Sequence, residues 1–399
     1  MDFKLIEQAV DEIFDEIVAF RRELHMTPEV SDFEVITPQK IAERLKKIPI
    51  EVKEKVGRNG VVGLIRGKNS ENSKTILLRA DMDALPINEE SGVEFSSKIP
   101  NVMHACGHDM HCAMLLGAAT VLSKFRDELD GNVKFMFQPA EELAPTGGSR
   151  AMMADGVLEN PKVDEAYALH VYGVPTGAIA FRPGVANSRS DRIKIEIIGK
   201  SAHGSLPNEG KDAIVAAANV ITGVQSIISR NLGPSENAVI TIGTIKGGDR
   251  YNVISETVTL EGTVRTFSDK VVNLIKERLA IVVNDIASAY GCIGKLNYYD
   301  GYDFIYNDLK LSQNVIDSLT PILGKENIII QENPLPTGED FSFVTKKVPS
   351  VFMWLGTESE VNNGRCILHN SKFLADENTI KYGIKVMCKV VIDSFSKKS

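Results

Sequence analysis

TILLRADMD, residues 75–83, is a short run rich in apolar side chains that ends in two aspartates one residue apart. A run such as Thr75–Ala80, with little alternation of polar and apolar residues, reads as a strand buried on both faces, the kind that parallel sheets contain. The same form recurs downstream. Val133–Phe137 ends in Gln138-Pro139-Ala140-Glu141-Glu142, Ala166–Leu169 ends in His170, and Ser350–Leu355 leads through a loop to Leu368-His369-Asn370. Helical periodicity covers Lys4–Leu24, Pro38–Lys47 and Met110–Phe125, with Val61–Ile65 as a further strand. Strands separated by helices predict an α/β domain, its sheet mixed but largely parallel and its helices on both faces. Ligands of such sheets bind beyond the carboxyl ends of the strands, so these acids and histidines are expected on one rim.

HACGHDMHC, residues 104–112, reaches that rim from the start of its helix and holds three of the chain's seven histidines and two of its five cysteines. Thiolate, imidazole and carboxylate together suit divalent metals such as zinc, nickel, cobalt or manganese. Cys106, His108, Glu142, His170 and His369 are the candidate ligands. Adjacent Glu141 and Glu142 suggest divided labour, one carboxylate on metal and the other moving a proton. His25 reads as structural, whereas His104 and His111 read equally as support for the ligands or as core.

The pattern changes near residue 185. Arg192–Ile198 (RIKIEII) alternates with period two, as a strand with one wet face does. Helix Asp212–Ser229, strands Ala238–Lys246 and Thr257–Thr266, a helix over 268–290 and a strand near Lys295–Tyr298 complete a β-α-β-β-α-β, ferredoxin-like unit. Residues 185–295 are therefore expected as an inserted domain, and 1–184 with 296–399 as the metal-binding domain. Hinges are expected near Gly184 and Lys295–Asp300. Helix Leu311–Leu319, strand Asn327–Ile330 and helix Glu377–Ser396 complete the first domain.

With 399 residues, 43% hydrophobic and 25% charged, the composition is that of an ordinary globular protein. A net charge of -8 without a basic block argues against nucleic acid or membrane surfaces as partners. No secretory signal and no membrane-spanning run is read, and five irregularly spaced cysteines fit a reducing cytoplasm better than a disulfide framework.

RRELHMTPEVS, LLRADMDALPINEE, MHACGHDMHCAMLLGAA, FQPAEE, GKSAHGSLPNEGKDAI, TIGTIKGG, LEGTVRTF, TGEDFSF and LHNSKF resemble, in order, the motifs of the M20 metallopeptidase/amidohydrolase family. The branch most resembled holds aminoacylases, hippurate hydrolases, auxin-conjugate hydrolases and N-acetyldiaminopimelate deacetylases. The resemblance implies two divalent metal ions on Cys106, His108, Glu142, His170 and His369, with Glu141 as general base. It also implies that His203 stabilises the oxyanion, often from a partner subunit, so that a homodimer forms through the inserted domain. Asn252 and Arg265 would hold the substrate. Where many members carry His-x-Asp this chain has Asp81-Met82-Asp83, and Asp83 is expected behind the ligands rather than among them. The activity implied is hydrolysis of N-acyl amino acids, with a dipeptidase or carboxypeptidase as the alternative. A cysteine-nucleophile hydrolase leaves Glu141, Glu142 and His369 without a task, and an intact Glu141 argues against a non-catalytic binding protein.

Overall fold

The computed structural model describes residues 2–68 and 73–396. The chain divides into two compact units, Met1–Ala186 with Ile305–Pro334 and Asp340–Ser399, and Asn187–Phe304 with Leu335–Glu339.

The first unit is built on β1 (Glu51–Val56), β2 (Gly60–Arg66), β3 (Thr75–Asp81), β4 (Asn132–Gln138), β5 (Glu165–Pro175), β6 (Ile179–Phe181), β15 (Ile328–Ile330) and β16 (Ser350–Glu358). Their order is β1-β2-β4-β3-β5-β16-β6-β15. The β4/β3, β3/β5, β5/β16 and β6/β15 pairs are parallel. The β1/β2, β2/β4 and β16/β6 pairs are antiparallel. This is the mixed, largely parallel sheet expected. A small ribbon joins β7 (Gly184–Val185) to β14 (Tyr306–Asn307).

Side-chain parity assigns the two faces of this sheet. Ile76, Leu78 and Ala80 of β3, Val133, Phe135 and Phe137 of β4, and Tyr167, Leu169 and Val171 of β5 enter the main core. Helices α1 (Phe3–Met26), α2 (Ile36–Leu45), α3 (His108–Lys124), α7 (Leu309–Leu323) and α9 (Thr379–Ser396) supply the rest of that core. Helix α1 starts on Asp2, whose carboxylate accepts the Lys4 N–H, and buries Ile6, Val10, Ile13, Ile17, Phe20 and Leu24 at helical spacing. Helix α3 is buried almost all round because α1 and α9 pack on it. At Gly117 a Cβ would meet Ile384 Cδ1 at 2.4 Å, so glycine sets the approach of α9.

The intervening residues of the same strands, Arg79, Asp81, Gln138, His170 and Trp354, point to the other face. Short helices α4 (Ser149–Ala154) and α8 (Ser342–Thr345) lie on that side. Arg79 is fully buried there and donates to Asp81, Gln138 and Asp340 at 2.6, 2.9 and 2.9 Å. A guanidinium so placed needs both carboxylates, since an unpaired buried charge is strongly destabilising.

The second unit holds β8 (Arg189–Ile198), β10 (Ala238–Gly247), β12 (Thr257–Thr266) and β13 (Ile293–Tyr302) in an antiparallel sheet ordered β10-β12-β8-β13. Helices α5 (Ala213–Asn231) and α6 (Asp269–Ala289) pack on one face, against Ile193, Ile195, Ile197, Val258, Leu260 and Val264. The other face is wet, with Arg192–Glu261 and Lys194–Glu196 ion pairs at 2.7 and 2.8 Å. A separate ribbon pairs β9 (Ala202–His203) with β11 (Val253–Ile254). Among the described helices α5 alone is long and apolar enough to cross a bilayer, and its inward stripe is spent on this unit's core.

Three expectations need correction. Strand β13 pairs with β8 from Ile293 to Tyr302, with a register shift between Tyr299 and Tyr302. Residues 296–302 therefore belong to the second unit, and a ladder at 295–300 is no place for a hinge. His170 does not end its strand; β5 continues to Pro175 against β16 after its pairing with β3 stops at Arg79–Ala168. The edge strand β1, EVKEKV, carries charges that mask its strand pattern in the sequence.

Candidate metal centre and catalytic turn

The start of α3 brings two candidate ligands together. Gly107 stands at φ 80°, and a Cβ there would lie 2.4 Å from Val171 Cγ2. Only glycine lets the chain turn here between Cys106 and His108. The Gly107→Ala variant is expected to lose about 2 kcal/mol or more of stability together with metal affinity. Thermal unfolding and metal titration check this, and wild-type behaviour in both would contradict it.

Cys106 Sγ lies 3.4 Å from His170 Nε2. His108 Nε2 lies 4.0 Å from Glu142 Oε1, which is 3.1 Å from His369 Nε2. Cys106, His108 and Glu142 each offer a ligand atom within 4.8 Å of the others. The five side chains proposed as ligands thus converge. His369 is the exposed member and has a left-handed backbone, φ 59°, its N–H donating to Ala105 O at 2.9 Å.

Hydrogen bonds to the ring nitrogens assign the tautomers. The Val171 N–H donates to His111 Nε2 at 2.9 Å, so His111 is protonated on Nδ1 and donates to Asp81 Oδ1 at 2.5 Å. Both nitrogens of His111 are used, and it supports the site without a free lone pair. Asp81 is engaged at both oxygens, by His111 at Oδ1 and by Arg79 Nη1 at Oδ2 at 2.6 Å, and with His111 it clusters closely with His108 and His170. His170 donates from Nδ1 to Val171 O at 2.8 Å, and His108 from Nδ1 to Asp83 Oδ1 at 3.1 Å. Their Nε2 atoms are left for a cation.

His108 Nε2 is buried without a hydrogen-bond partner, and the buried Glu142 Oε1 faces His369 Nε2 at 3.1 Å. Burial, then Glu142 and Glu141, push the Cys106 thiol well above its usual range. Burial would lower His108, but Asp81, Asp83 and Glu142 outweigh it and raise the imidazole to about 10. The pocket therefore asks for positive charge and offers soft and borderline ligands, a set that fits divalent metal.

Beside it, β4 runs into the Ala140-Glu141-Glu142 turn. Ala140 is left-handed, φ 55°, and its N–H donates to Glu34 Oε1 at 2.8 Å. The Glu142 N–H donates to Asp83 Oδ2 at 2.9 Å, and Ser31 Oγ donates to the same oxygen at 2.6 Å. Burial, then the charge of Asp83, raises Glu34 to about 7. Glu141 is buried within this turn.

Behind α3 lies a buried ionic cluster. His25 presents Nδ1 to Asp109 Oδ2 at 2.8 Å and Nε2 to Glu89 Oε1 at 3.1 Å, and Arg21 Nε lies 2.6 Å from Asp109 Oδ2. Burial and Arg21 push His25 down, but the carboxylates of Asp109 and Glu89 leave it raised overall. Its contribution to stability is thus complete below the unfolded value of about 6.5 and is lost as pH rises through the folded value. The Tm of the metal-free protein is expected to fall on the alkaline side by more than that of His25→Gln. Parallel Tm curves from about pH 6 to about pH 9 would contradict this. His104, fully buried with neither ring nitrogen partnered, is pushed down to about 4 by burial and stays neutral.

The remaining candidates lie in the second unit. The Ser205 N–H donates to His203 Nδ1 at 3.2 Å, which puts the His203 proton on Nε2 and makes that exposed atom a donor. His203 pairs with Val253 across the ribbon, next to Asn252, whose buried Oδ1 has no partner. Arg265 is half-buried, its guanidinium pushed down by burial, without a hydrogen bond or ion pair among the described residues. Sequence reasoning passed over Arg79, Asp340, Ser31 and Glu34. A basic residue inside an apolar strand was the available signal for Arg79; nothing local marked the other three.

Residues 77–393 match the peptidase family M20/M25/M40. The chain is 37% identical to thermostable carboxypeptidase 2 of Saccharolobus solfataricus, over 98% of each protein. It is 36% identical to the N-acetyldiaminopimelate deacetylase of Oenococcus oeni, over 96% of this chain and 99% of that one. A crystal structure of a dinuclear metal binding M20 peptidase from Bacillus subtilis superposes with a TM-score of 0.83 at 30% identity, covering 97% of this chain and 99% of that one.

Proposed function

Because this chain belongs to peptidase family M20/M25/M40, we propose that it is a metal-dependent amidohydrolase that cleaves N-acyl-L-amino acids, N-acetyl or aryl-acyl, to a carboxylate and a free amino acid. One observation carries the reading: Cys106, His108 and Glu142 converge around the buried, unpartnered His108 Nε2, with His369 Nε2 3.1 Å from Glu142 Oε1 and the carboxylate of Glu141 next in sequence. Cys106, His108, Glu142, His170 and His369 would hold two divalent ions, zinc, manganese, nickel or cobalt. Such ions, when bound, polarise the scissile carbonyl and acidify water. Asp83 fixes the ring of His108. Glu141 takes a proton from the attacking water and returns it to the leaving nitrogen. His203 donates from Nε2 to the oxyanion. Asn252 and Arg265 take the substrate, and a guanidinium without a hydrogen bond or ion pair among the described residues suits a carboxylate.

In this reading the second unit is a lid and the seat of a homodimer, with His203 acting from its own chain or from the partner. Exposed Val239 and Ile245 on the edge strand β10 support that pairing. Five free cysteines support a cytoplasmic setting.

The test is hydrolysis by chelator-stripped and metal-restored protein of N-acetyl and N-benzoyl amino acids, N-acetyldiaminopimelate, dipeptides and N-blocked peptides. Metal-restored cleavage, fastest on acyl amino acids, is expected. Preference for blocked peptides would favour the carboxypeptidase alternative, which the Saccharolobus relative supports. No cleavage of any of them would overturn the proposal.

A further inference from the structure

The catalytic turn is framed by two carboxylates that come from elsewhere in the chain. On one side of Glu141, the Ala140 N–H donates to Glu34 Oε1 at 2.8 Å. On the other, the Glu142 N–H donates to Asp83 Oδ2 at 2.9 Å. The segment between α1 and α2 supplies both supports. Glu34 acts directly, and Ser31 steadies Asp83 through its hydroxyl at 2.6 Å. That segment is itself anchored: the Ala84 N–H donates to Glu29 O at 2.8 Å, and the Glu29 carboxylate accepts the N–H groups of Val35, Ile36 and Thr37 at the start of α2.

Ala140 needs such a support. Its φ of 55° lies in the left-handed region, which L residues other than asparagine and aspartate seldom enter, and alanine has no side chain to stabilise itself there. A turn released from Glu34 would relax toward ordinary dihedrals and rotate the peptide that precedes Glu141. Glu34 is fully buried, and its Oε2 has no hydrogen-bond partner. An acidic side chain in such a position costs stability unless the bond it makes is needed.

We propose that Glu34 is a positioning residue for catalysis: by holding the Ala140 N–H it keeps residue 140 left-handed and aims Glu141 at the attacking water. The inference rests on the reading of Glu141 as the general base. It concerns a residue that touches neither substrate nor metal ligands and acts through one backbone bond.

The experiment is steady-state kinetics on the best N-acyl amino acid, with metal content measured for every sample. Wild-type protein is assayed first; its inactivity would sink the underlying reading and be seen before any variant is made. Glu34→Ala is expected to lower kcat by about 10- to 100-fold, with KM and metal content little changed. Glu34→Gln keeps a carbonyl acceptor for Ala140 and is expected to stay within about threefold of wild type. The double variant Glu34→Ala/Ala140→Gly, in which glycine adopts the left-handed turn without help, is expected to regain most of the lost kcat. If the alanine variant does not fold, Glu34→Met fills the same space without an acceptor and takes its place. Wild-type kcat in Glu34→Ala would overturn the proposal, as would a loss that tracks metal content. A folded, metal-loaded Glu34→Gln as impaired as the alanine variant would also overturn it, because charge rather than the bond to Ala140 would then matter.

Discussion

Glu141→Gln is expected to lower kcat by about 1,000-fold or more while leaving metal content and KM close to wild type. The carboxylate has two tasks in the proposed reaction. It accepts a proton as water attacks the amide and delivers one as the C–N bond breaks, and glutamine can do neither. Glu141 is buried in a turn whose flanking N–H groups are both held, by Glu34 and Asp83, so the amide should occupy the same place. Steady-state kinetics with metal analysis decide the matter. A variant retaining a tenth or more of wild-type kcat would exclude Glu141 as the base.

Cys106→Ala is expected to weaken metal binding by at least about 100-fold, the upper end of what loss of a supporting group costs. Without metal the thiol is held protonated by burial and by the neighbouring carboxylates, and His108, at about 10, holds a proton as well. Metal binding must displace both protons, so affinity should rise with pH across the neutral range. The single tryptophan reports the event, since the Trp354 ring stands 5.0 Å from that of His170. Cobalt titration should quench it and develop a thiolate-to-cobalt absorption band, absent in Cys106→Ala. Cys112→Ala is the control. Cys112 is equally buried but donates to Asp81 O at 3.1 Å, so its loss should leave band and affinity intact. A band that follows Cys112 instead would reverse the assignment.

Much of this was legible because the deciding features are local. Apolar runs ending in acids or histidine, the period-two RIKIEII, and helices with regular apolar spacing each state their own structure. The inserted antiparallel sheet was readable for the same reason. What could not be read depends on residues far apart in sequence. His170 and His111 look alike as letters. His111 is taken out of the ligand set by one N–H of Val171, 60 residues away. Arg79 makes sense only beside Asp340, 261 residues on. Glu34 matters through a backbone group 106 residues distant. The length of β13 was missed because its far half, near Tyr299–Tyr302, is fixed by pairing with β8 and not by its own pattern.

Catalysis as proposed depends on which side chains hold the metal. Anomalous diffraction from crystals of protein stripped by chelator and reloaded with zinc tests this directly. Two peaks per chain are expected, within bonding distance of Cys106, His108, Glu142, His170 and His369. Peaks on Asp81 and His111, or none among these residues, would contradict it.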